Sequence, residues 1–258
     1  MNVIPLGTNG FFPSFGRETM CFAIPYGKTL IILDAGTGLY RLAEPMGKRL
    51  LAGAENIHLY LSHYHLDHTF GFYGAWKILK DKKVTVFGKE EKKVFNDLAG
   101  DYFPINHEKE FGNFSWRKLD VGENKIGDYQ VAVRRQYHNG AGSLAFKFSF
   151  GLAYVTDSEP TQESVEFVRD VPLLLHEHYL SGEEILDNTN AKLEDHFLGK
   201  HTTSIGAAMI AKEAKAGKLC LLHHYPFYNA KQLVKQREFA RKIFEETELS
   251  IDLKHINF

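Results

Sequence analysis

Cysteine is nearly missing from this 258-residue chain: it has two, Cys21 and Cys220, each inside an apolar stretch. That excludes a disulfide framework, and both are expected as reduced, buried core residues. Charge of one sign is not in excess either. The net charge is −1 at pH 7, so no overall field draws the chain onto nucleic acid or a membrane surface, although a local basic groove stays compatible with that balance. No apolar run approaches the roughly 20 residues of a membrane span. The opening MNVIPLGTNG carries no basic stretch leading into a long apolar one, so no secretory signal is read there and a cytoplasmic location is expected. Low-complexity linkers and repeats of about 20–50 residues are lacking as well. What is present is ordinary globular composition, 44% hydrophobic and 24% charged, with ample material for a core.

Short β-rich runs come early: Val3–Leu6, Cys21–Pro25 and Thr29–Leu33. The last two flank Tyr26-Gly27-Lys28, a hairpin turn. Residues Thr37–Glu44 read as a short helix and Ile57–Leu61 as a strand. Further strands are expected at Val84–Phe87, Tyr129–Arg134, Leu144–Phe150 and Leu152–Thr156, with a helix over Glu90–Leu98 whose charges form a solvated face. In the second half, Pro172–Leu175 and Lys218–Leu222 read as buried strands. Ser204–Ala214 and Ala230–Glu246 carry helical periodicity. With no linker between the halves, the expectation is one domain over residues 1–258, an α+β fold with two groups of strands and helices outside, a four-layer αββα sandwich.

The run His63-Tyr64-His65-Leu66-Asp67-His68 carries the chemistry. Alternate residues of a strand point the same way, so His63 and His65 converge on one ion as the strand ends. Asp67 and His68 lie in the following turn and can face a second ion. Neutral imidazoles with a carboxylate suit zinc first, and also manganese, iron or nickel. One such cluster cannot close two coordination spheres. Other ligands are sought at strand ends followed by turns, which His138, Asp157 and His223 all occupy.

The segment Ser62-His63-Tyr64-His65-Leu66-Asp67-His68 resembles the signature of the metallo-β-lactamase superfamily, and nearly the whole chain is similar to its ribonuclease Z and phosphodiesterase branch. Leu6-Gly7-Thr8 and Leu33-Asp34-Ala35-Gly36-Thr37-Gly38 resemble that branch's first loop and its aspartate-bearing strand end. Tyr154-Val155-Thr156-Asp157-Ser158 is similar to the segment with its bridging aspartate. Leu175-His176-Glu177 resembles its His-Glu motif, His201-Thr202-Thr203 its His-Ser-Thr loop, and Leu222-His223-His224-Tyr225-Pro226 its last ligand segment.

The resemblance implies a metallo-β-lactamase fold, two divalent ions and phosphodiester hydrolysis. By it, His63, His65 and His138 hold one ion, Asp67, His68 and His223 the other, and Asp157 stands between. Neighbouring strand residues face opposite sides, so one of His223 and His224 is expected as a ligand, and aligning Tyr225-Pro226 onto the family segment makes it His223. Two ions about 4 Å apart bridge a water and make it a hydroxide near neutral pH; Asp67 orients that nucleophile. His201, positioned by Glu177, is the expected proton donor to the leaving oxygen. The capping reading of Thr202 and Thr203, with His201 exposed, stands beside it. Asp34 is expected to hydrogen-bond loop backbone behind the ligands. A homodimer is a further implication.

The chain departs from that pattern in three places. Only residues 139–157 follow His138 up to and including Asp157, which leaves no room for the long basic arm that grips transfer RNA. His178-Tyr179 follow the His-Glu motif where small residues and then an aromatic are usual; His178 is expected at the surface, with a substrate contact or an extra ligand as the alternatives. Lys200 replaces a glycine before the His-Ser-Thr loop, as a phosphate contact or a solvated side chain. Tyr102 and Phe103 either line the cleft or pack a loop. His58, His107, His196 and His255 have no partner pattern and are expected as surface or structural residues.

The expected activity is therefore hydrolysis of a small or flexible phosphodiester, cyclic-nucleotide-like or RNA-end-like, with no strong nucleic-acid signal and no membrane. The same nucleophile serves a carboxylic ester, lactone or thioester, which is the second reading; a non-catalytic binding or carrier protein is the third.

Overall fold

The computed structural model describes residues 1–89, 111–140, 142–185 and 191–258. The helix expected over Glu90–Leu98, with Tyr102, Phe103 and His107, falls outside them. The chain divides into two compact units, Met1–Leu119 with Ile251–Asn257, and Asp120–Ser250 with Phe258.

Among the described residues, the first unit is built on a seven-stranded sheet. Its strands are β1 (Asn2–Gly7), β2 (Cys21–Tyr26), β3 (Thr29–Leu33), β4 (Asn56–Tyr60), β5 (Lys83–Gly88), β6 (Phe114–Lys118) and the closing Ile256–Asn257 beside β1. β1, β2 and β3 are antiparallel neighbours; β3 to β6 run parallel. Parallel strands need crossovers; among the described residues, a 3₁₀ turn at Thr37–Ala43 and helix α1 (Pro45–Ala52) lie between β3 and β4, and helices α2 (Leu66–Thr69) and α3 (Phe72–Ile78) between β4 and β5. Alternate strand residues Leu30, Ile32, Ile57, Leu59, Val84 and Val86 pack against Leu39, Leu42, Leu51, Phe72 and Ala75 of that helical layer. Each side chain of this kind, fully buried, contributes roughly 1.5–3 kcal/mol.

The second unit repeats the scheme. Its sheet has the order Thr247–Leu249, Lys218–Leu222, Leu173–Glu177, Leu152–Val155, Ser143–Phe148, Tyr129–Gln136 and Gly122–Ile126. In chain order these are β7 (Gly122–Ile126), β8 (Tyr129–Gln136), β9 (Ser143–Phe148), β10 (Leu152–Val155), β11 (Leu173–Glu177), β14 (Lys218–Leu222) and β15 (Thr247–Leu249); β12 (Phe197–Leu198) and β13 (His201–Thr202) form a separate ribbon. Helices α4 (Gln162–Phe167), α5 (Ser204–Glu213) and α6 (Ala230–Arg241) belong to this unit. Small residues let α5 lie close to the sheet: Ala207, Ala208 and Ala211 meet Ala145, Ala153, Val155 and Leu174 in one core.

The helix expected to reach Glu246 stops at Arg241, because the chain turns there and packs Ile243 and Phe244 against the same core. Cys21 and Cys220 are free and buried, as expected. No helix among the described residues is long and apolar enough to cross a membrane.

Candidate functional site

In the first unit, β4 runs into the His-rich segment, and Asp34 at the end of β3 organises it. Asp34 is fully buried with φ +56°. Its Oδ1 accepts from the Ser62 backbone N–H at 2.7 Å, and its Oδ2 from the Ser62 hydroxyl at 2.8 Å. The same Oδ2 lies 2.8 Å from His68 Nδ1. A carboxylate is acceptor-only, so the His68 proton sits on Nδ1 and the lone pair of Nε2 is left for another partner. Because the Ser62 hydroxyl donates to Asp34, it accepts from His63 Nδ1 at 3.1 Å, which again presents Nε2. The His63 ring lies 4.4 Å from that of His65 and 4.3 Å from that of His68. Asp67 accepts from the Phe11 backbone N–H at 2.8 Å, and its Oδ2 stands 3.4 Å from His68 Nε2. The expectation that Asp34 hydrogen-bonds loop backbone holds, and it also sets a histidine tautomer.

Gly36 is what lets this turn close. A Cβ there would stand 2.1 Å from the Asp67 carbonyl oxygen and 2.5 Å from Thr19 Oγ1, so only hydrogen fits.

In the second unit, His138, Asp157, Glu177, His201 and His223 come together from five strand ends or loops. Asp157 Oδ1 lies 3.3 Å from His138 Nε2 and 3.6 Å from His201 Nδ1; Oδ2 lies 3.4 Å from His223 Nε2. His138 Nδ1 donates to the Lys200 carbonyl at 3.2 Å, leaving Nε2 turned to Asp157, an atom the Asn139 amide also approaches at 3.2 Å. Glu177, fully buried, accepts from the Ser158 and Thr202 backbone N–H groups at 2.7 and 3.0 Å. Its other oxygen takes the His201 Nδ1 proton at 2.8 Å. Burial pushes the Glu177 carboxyl up, but the charge and hydrogen bond of His201 outweigh it and leave the group below the ordinary carboxylate range. Asp157, Glu177, His201 and His223 form a compact set of candidate ligand atoms.

The donor sets in both units fit divalent metal. The distances His68 Nε2–Asp67 Oδ2 at 3.4 Å, His138 Nε2–Asp157 Oδ1 at 3.3 Å and His223 Nε2–Asp157 Oδ2 at 3.4 Å exceed ordinary hydrogen bonds. They match instead the roughly 3.4 Å edge of a tetrahedron with metal bonds of about 2.1 Å.

Three of these strand ends share a feature that the sequence did not signal. Asp34, Asp157 and His223 all have left-handed backbone, φ +56°, +51° and +58°. Such residues cost about 1–3 kcal/mol each and persist only where the surroundings over-determine them.

His223 and His224 differ in their surroundings. His224 Nε2 donates to the Ser250 carbonyl at 2.8 Å, and its Nδ1 lies 2.7 Å from His178 Nε2. Both ring nitrogens are thus engaged away from Asp157. His178, expected at the surface, is fully buried, because its ring is the partner of His224. His201 is not the exposed residue of the capping reading: its side chain is 12% exposed and it stacks on Tyr179 at 4.3 Å. Thr203 nonetheless caps α5, accepting from Gly206 N–H at 3.0 Å, so cap and histidine coexist. Lys200 is exposed; its structural contribution is the carbonyl that holds His138. Among the remaining histidines, His196 is buried against Thr203 Oγ1 at 2.9 Å and His255 pairs with Asn2 at 2.8 Å.

No family model matches the chain. In sequence, it is similar to a ribonuclease Z of Pyrococcus horikoshii, 26% identical over an alignment that covers 90% of this chain and 89% of that one. In structure, it is similar to the metallo-β-lactamase fold protein YhfI of Bacillus subtilis, with a TM-score of 0.74 and 19% identity over 99% of this chain and 98% of that one. A diphosphatase of the PhnP family gives a TM-score of 0.70 at 13% identity, covering 100% and 97%. The chain has the α+β metallo-β-lactamase fold expected from its sequence.

Proposed function

We propose that this chain, a metal-dependent hydrolase related to ribonuclease Z, is a cytoplasmic phosphodiesterase whose substrate is a small or flexible phosphodiester, cyclic-nucleotide-like or RNA-end-like. The relative from Pyrococcus horikoshii is named for action on RNA and the PhnP-family protein as a diphosphatase. The chemistry common to those names is attack at phosphorus. The RNA in the relatives' name does not fit the weak nucleic-acid signal of this sequence. The missing transfer-RNA arm favours a short substrate or an RNA end over a folded RNA.

In this reading residues 1–258 act as one functional domain, and the ligands are those the resemblance implies: His63, His65 and His138; Asp67, His68 and His223; and Asp157 shared. Zinc is the first choice of metal, with manganese, iron or nickel as alternatives. Two divalent ions, when bound, supply activation of a water and stabilisation of charge on the phosphate oxygens. The chain's own groups do the rest. Asp34, Ser62 and the Lys200 carbonyl hold histidine protons on Nδ1, Asp67 orients the attacking water, and Glu177 fixes His201 so that its Nε2 delivers a proton to the departing oxygen.

The observation that carries the phosphodiester reading is the His201 Nδ1–Glu177 Oε2 hydrogen bond of 2.8 Å, placed 3.6 Å from Asp157. A sugar alkoxide needs a proton to leave, whereas p-nitrophenolate does not. Metal-loaded protein is therefore expected to cleave both a dinucleotide and a p-nitrophenyl phosphodiester. His201→Ala should lower kcat about 10²–10⁴-fold on the dinucleotide and far less on the p-nitrophenyl diester. Brisk turnover of lactones or thioesters with none of either phosphodiester would overturn the assignment.

A further inference from the structure

We infer that His178, His224 and Ser250 form a clamp that positions His223 and Glu177 together, and that this buried pair of histidines serves the site rather than the core. The inference rests on the reading of His223 as a metal ligand.

The three residues each follow a strand of the second unit. His178 comes directly after β11, Ser250 directly after β15, and His224 two residues after β14. All three are buried, His178 and His224 completely and Ser250 to 1%. The Ser250 carbonyl can only accept, so the proton of His224 lies on Nε2, 2.8 Å away. His224 Nδ1 is then the acceptor, and His178 Nε2 donates to it across 2.7 Å. The His224 ring is thus held at both ends, by the strand end on one side and by the strand end on the other. Backbone bonds reinforce the same junction. His178 N–H donates to the Leu222 carbonyl at 2.8 Å, and both the N–H and the hydroxyl of Ser250 donate to the Leu221 carbonyl, at 2.9 and 2.8 Å.

Two residues that the proposed chemistry needs are chain neighbours of this clamp. His223 precedes His224 and sits at φ +58°, a conformation that a histidine keeps only when its surroundings hold it. Glu177 precedes His178 and bonds His201 at 2.8 Å. Pinning the His224 ring prevents the peptide between Leu222 and Tyr225 from relaxing, and pinning His178 keeps the end of β11 level with it. Ligand and proton-donor support are therefore registered by one hydrogen-bonded unit. A core pair of apolar rings would fill the same space without directional bonds, which gives no reason for two imidazoles with matched tautomers. His178 and His224 are positioning residues in this sense.

The test separates shape from hydrogen bonding. His178→Phe and His224→Phe keep a flat ring of similar size but lose the bonds, whereas His178→Gln keeps a donor at about the place of Nε2. Cobalt(II) affinity is measured by competition with a chromophoric chelator, together with the cobalt d–d spectrum and kcat and KM on a p-nitrophenyl phosphodiester. Both Phe variants are expected to bind cobalt about 10–100-fold more weakly, with an altered spectrum and a fall in kcat larger than the rise in KM. His178→Gln should return affinity and spectrum to within a few-fold of the unaltered protein.

His223→Ala is the control. If His223→Ala loses cobalt while both Phe variants bind it within twofold of the unaltered protein with the same spectrum, the clamp is overturned and the ligand reading stands. If His223→Ala itself binds unaltered, the ligand reading falls, and the clamp with it. Where a Phe variant does not fold, the comparison of His178→Gln with His178→Asn decides: the shorter amide cannot reach His224, and equal affinity in the two overturns the proposal.

Discussion

Replacing Asp34 by asparagine should separate metal binding from stability in a way that follows from three hydrogen bonds. The buried carboxylate accepts from Ser62 N–H at 2.7 Å, from the Ser62 hydroxyl at 2.8 Å and from His68 Nδ1 at 2.8 Å. Asparagine tolerates the left-handed backbone at φ +56°, so the turn itself is not strained by the change. It has one oxygen, and the Ser62 backbone N–H cannot turn away, so the oxygen stays there. The new amide donor then faces His68 Nδ1, which is also a donor. The Ser62 hydroxyl can rotate to accept; the imidazole can escape the clash only by moving its proton to Nε2, the atom proposed to hold metal. Exchanging one charged bond for a neutral one should cost about 1–2 kcal/mol of stability, while metal affinity should fall about 10–100-fold. Asp34→Ala leaves Ser62 N–H and His68 Nδ1 buried without an acceptor and should cost about 3–5 kcal/mol. Both tryptophans, Trp76 and Trp116, lie in the first unit, so urea denaturation of metal-free protein followed by tryptophan fluorescence reads that unit. A chelator competition reads affinity. An Asp34→Asn protein that binds zinc within twofold of the unaltered one would refute the tautomer argument.

Gly36→Ala should damage the same turn by sterics alone: a Cβ 2.1 Å from the Asp67 carbonyl must displace backbone, costing at least about 1–3 kcal/mol and weakening metal uptake in the same chelator assay. Acid should destabilise the second unit partly through His176, whose burial holds its pKa below the usual 6.5. The unfolded chain takes up a proton as pH falls through 6.5 and the folded one does not, so stability is full above that pH and declines below it, by at most ~1.4 kcal/mol per pH unit. His176→Gln should flatten that slope in circular dichroism melts between pH 7 and 5; an unchanged slope counts against the assignment. Burial pushes the Cys21 thiol well above its usual range, with Asp34 and Asp252 adding to the effect. The native protein should therefore leave Cys21 unmodified by a disulfide reagent at pH 8, and label it on unfolding; peptide mapping distinguishes it from Cys220.

Short-range pattern was sufficient for much of the molecule. The strands near Val3, Cys21, Thr29, Leu173 and Lys218 were legible because both faces are largely buried and the apolar runs nearly continuous. Edge strands such as β7, Gly-Glu-Asn-Lys-Ile over Gly122–Ile126, were not, since half their residues face solvent and read as loop. The helices Pro45–Ala52, Phe72–Ile78 and Gln162–Phe167 were missed for a different reason, their length: six to eight residues give too few turns for a periodic signal.

For the candidate site, residue type and spacing by themselves marked the run from His63 to His68 as candidate metal ligands, because coordination demands particular atoms at particular intervals along a strand end. They also pointed to Asp34, His138, Asp157 and His223 as residues placed where strands stop, whereas Glu177 and His201 were singled out by the resemblance to the ribonuclease Z branch. Only the tertiary structure decided which nitrogen each histidine presents, that His224 is spoken for by His178 and Ser250, and that Asp34, Asp157 and His223 sit in left-handed backbone. Those are properties of partners distant along the chain. A tautomer is chosen by whichever acceptor stands beside the ring, and no local pattern says which one that will be.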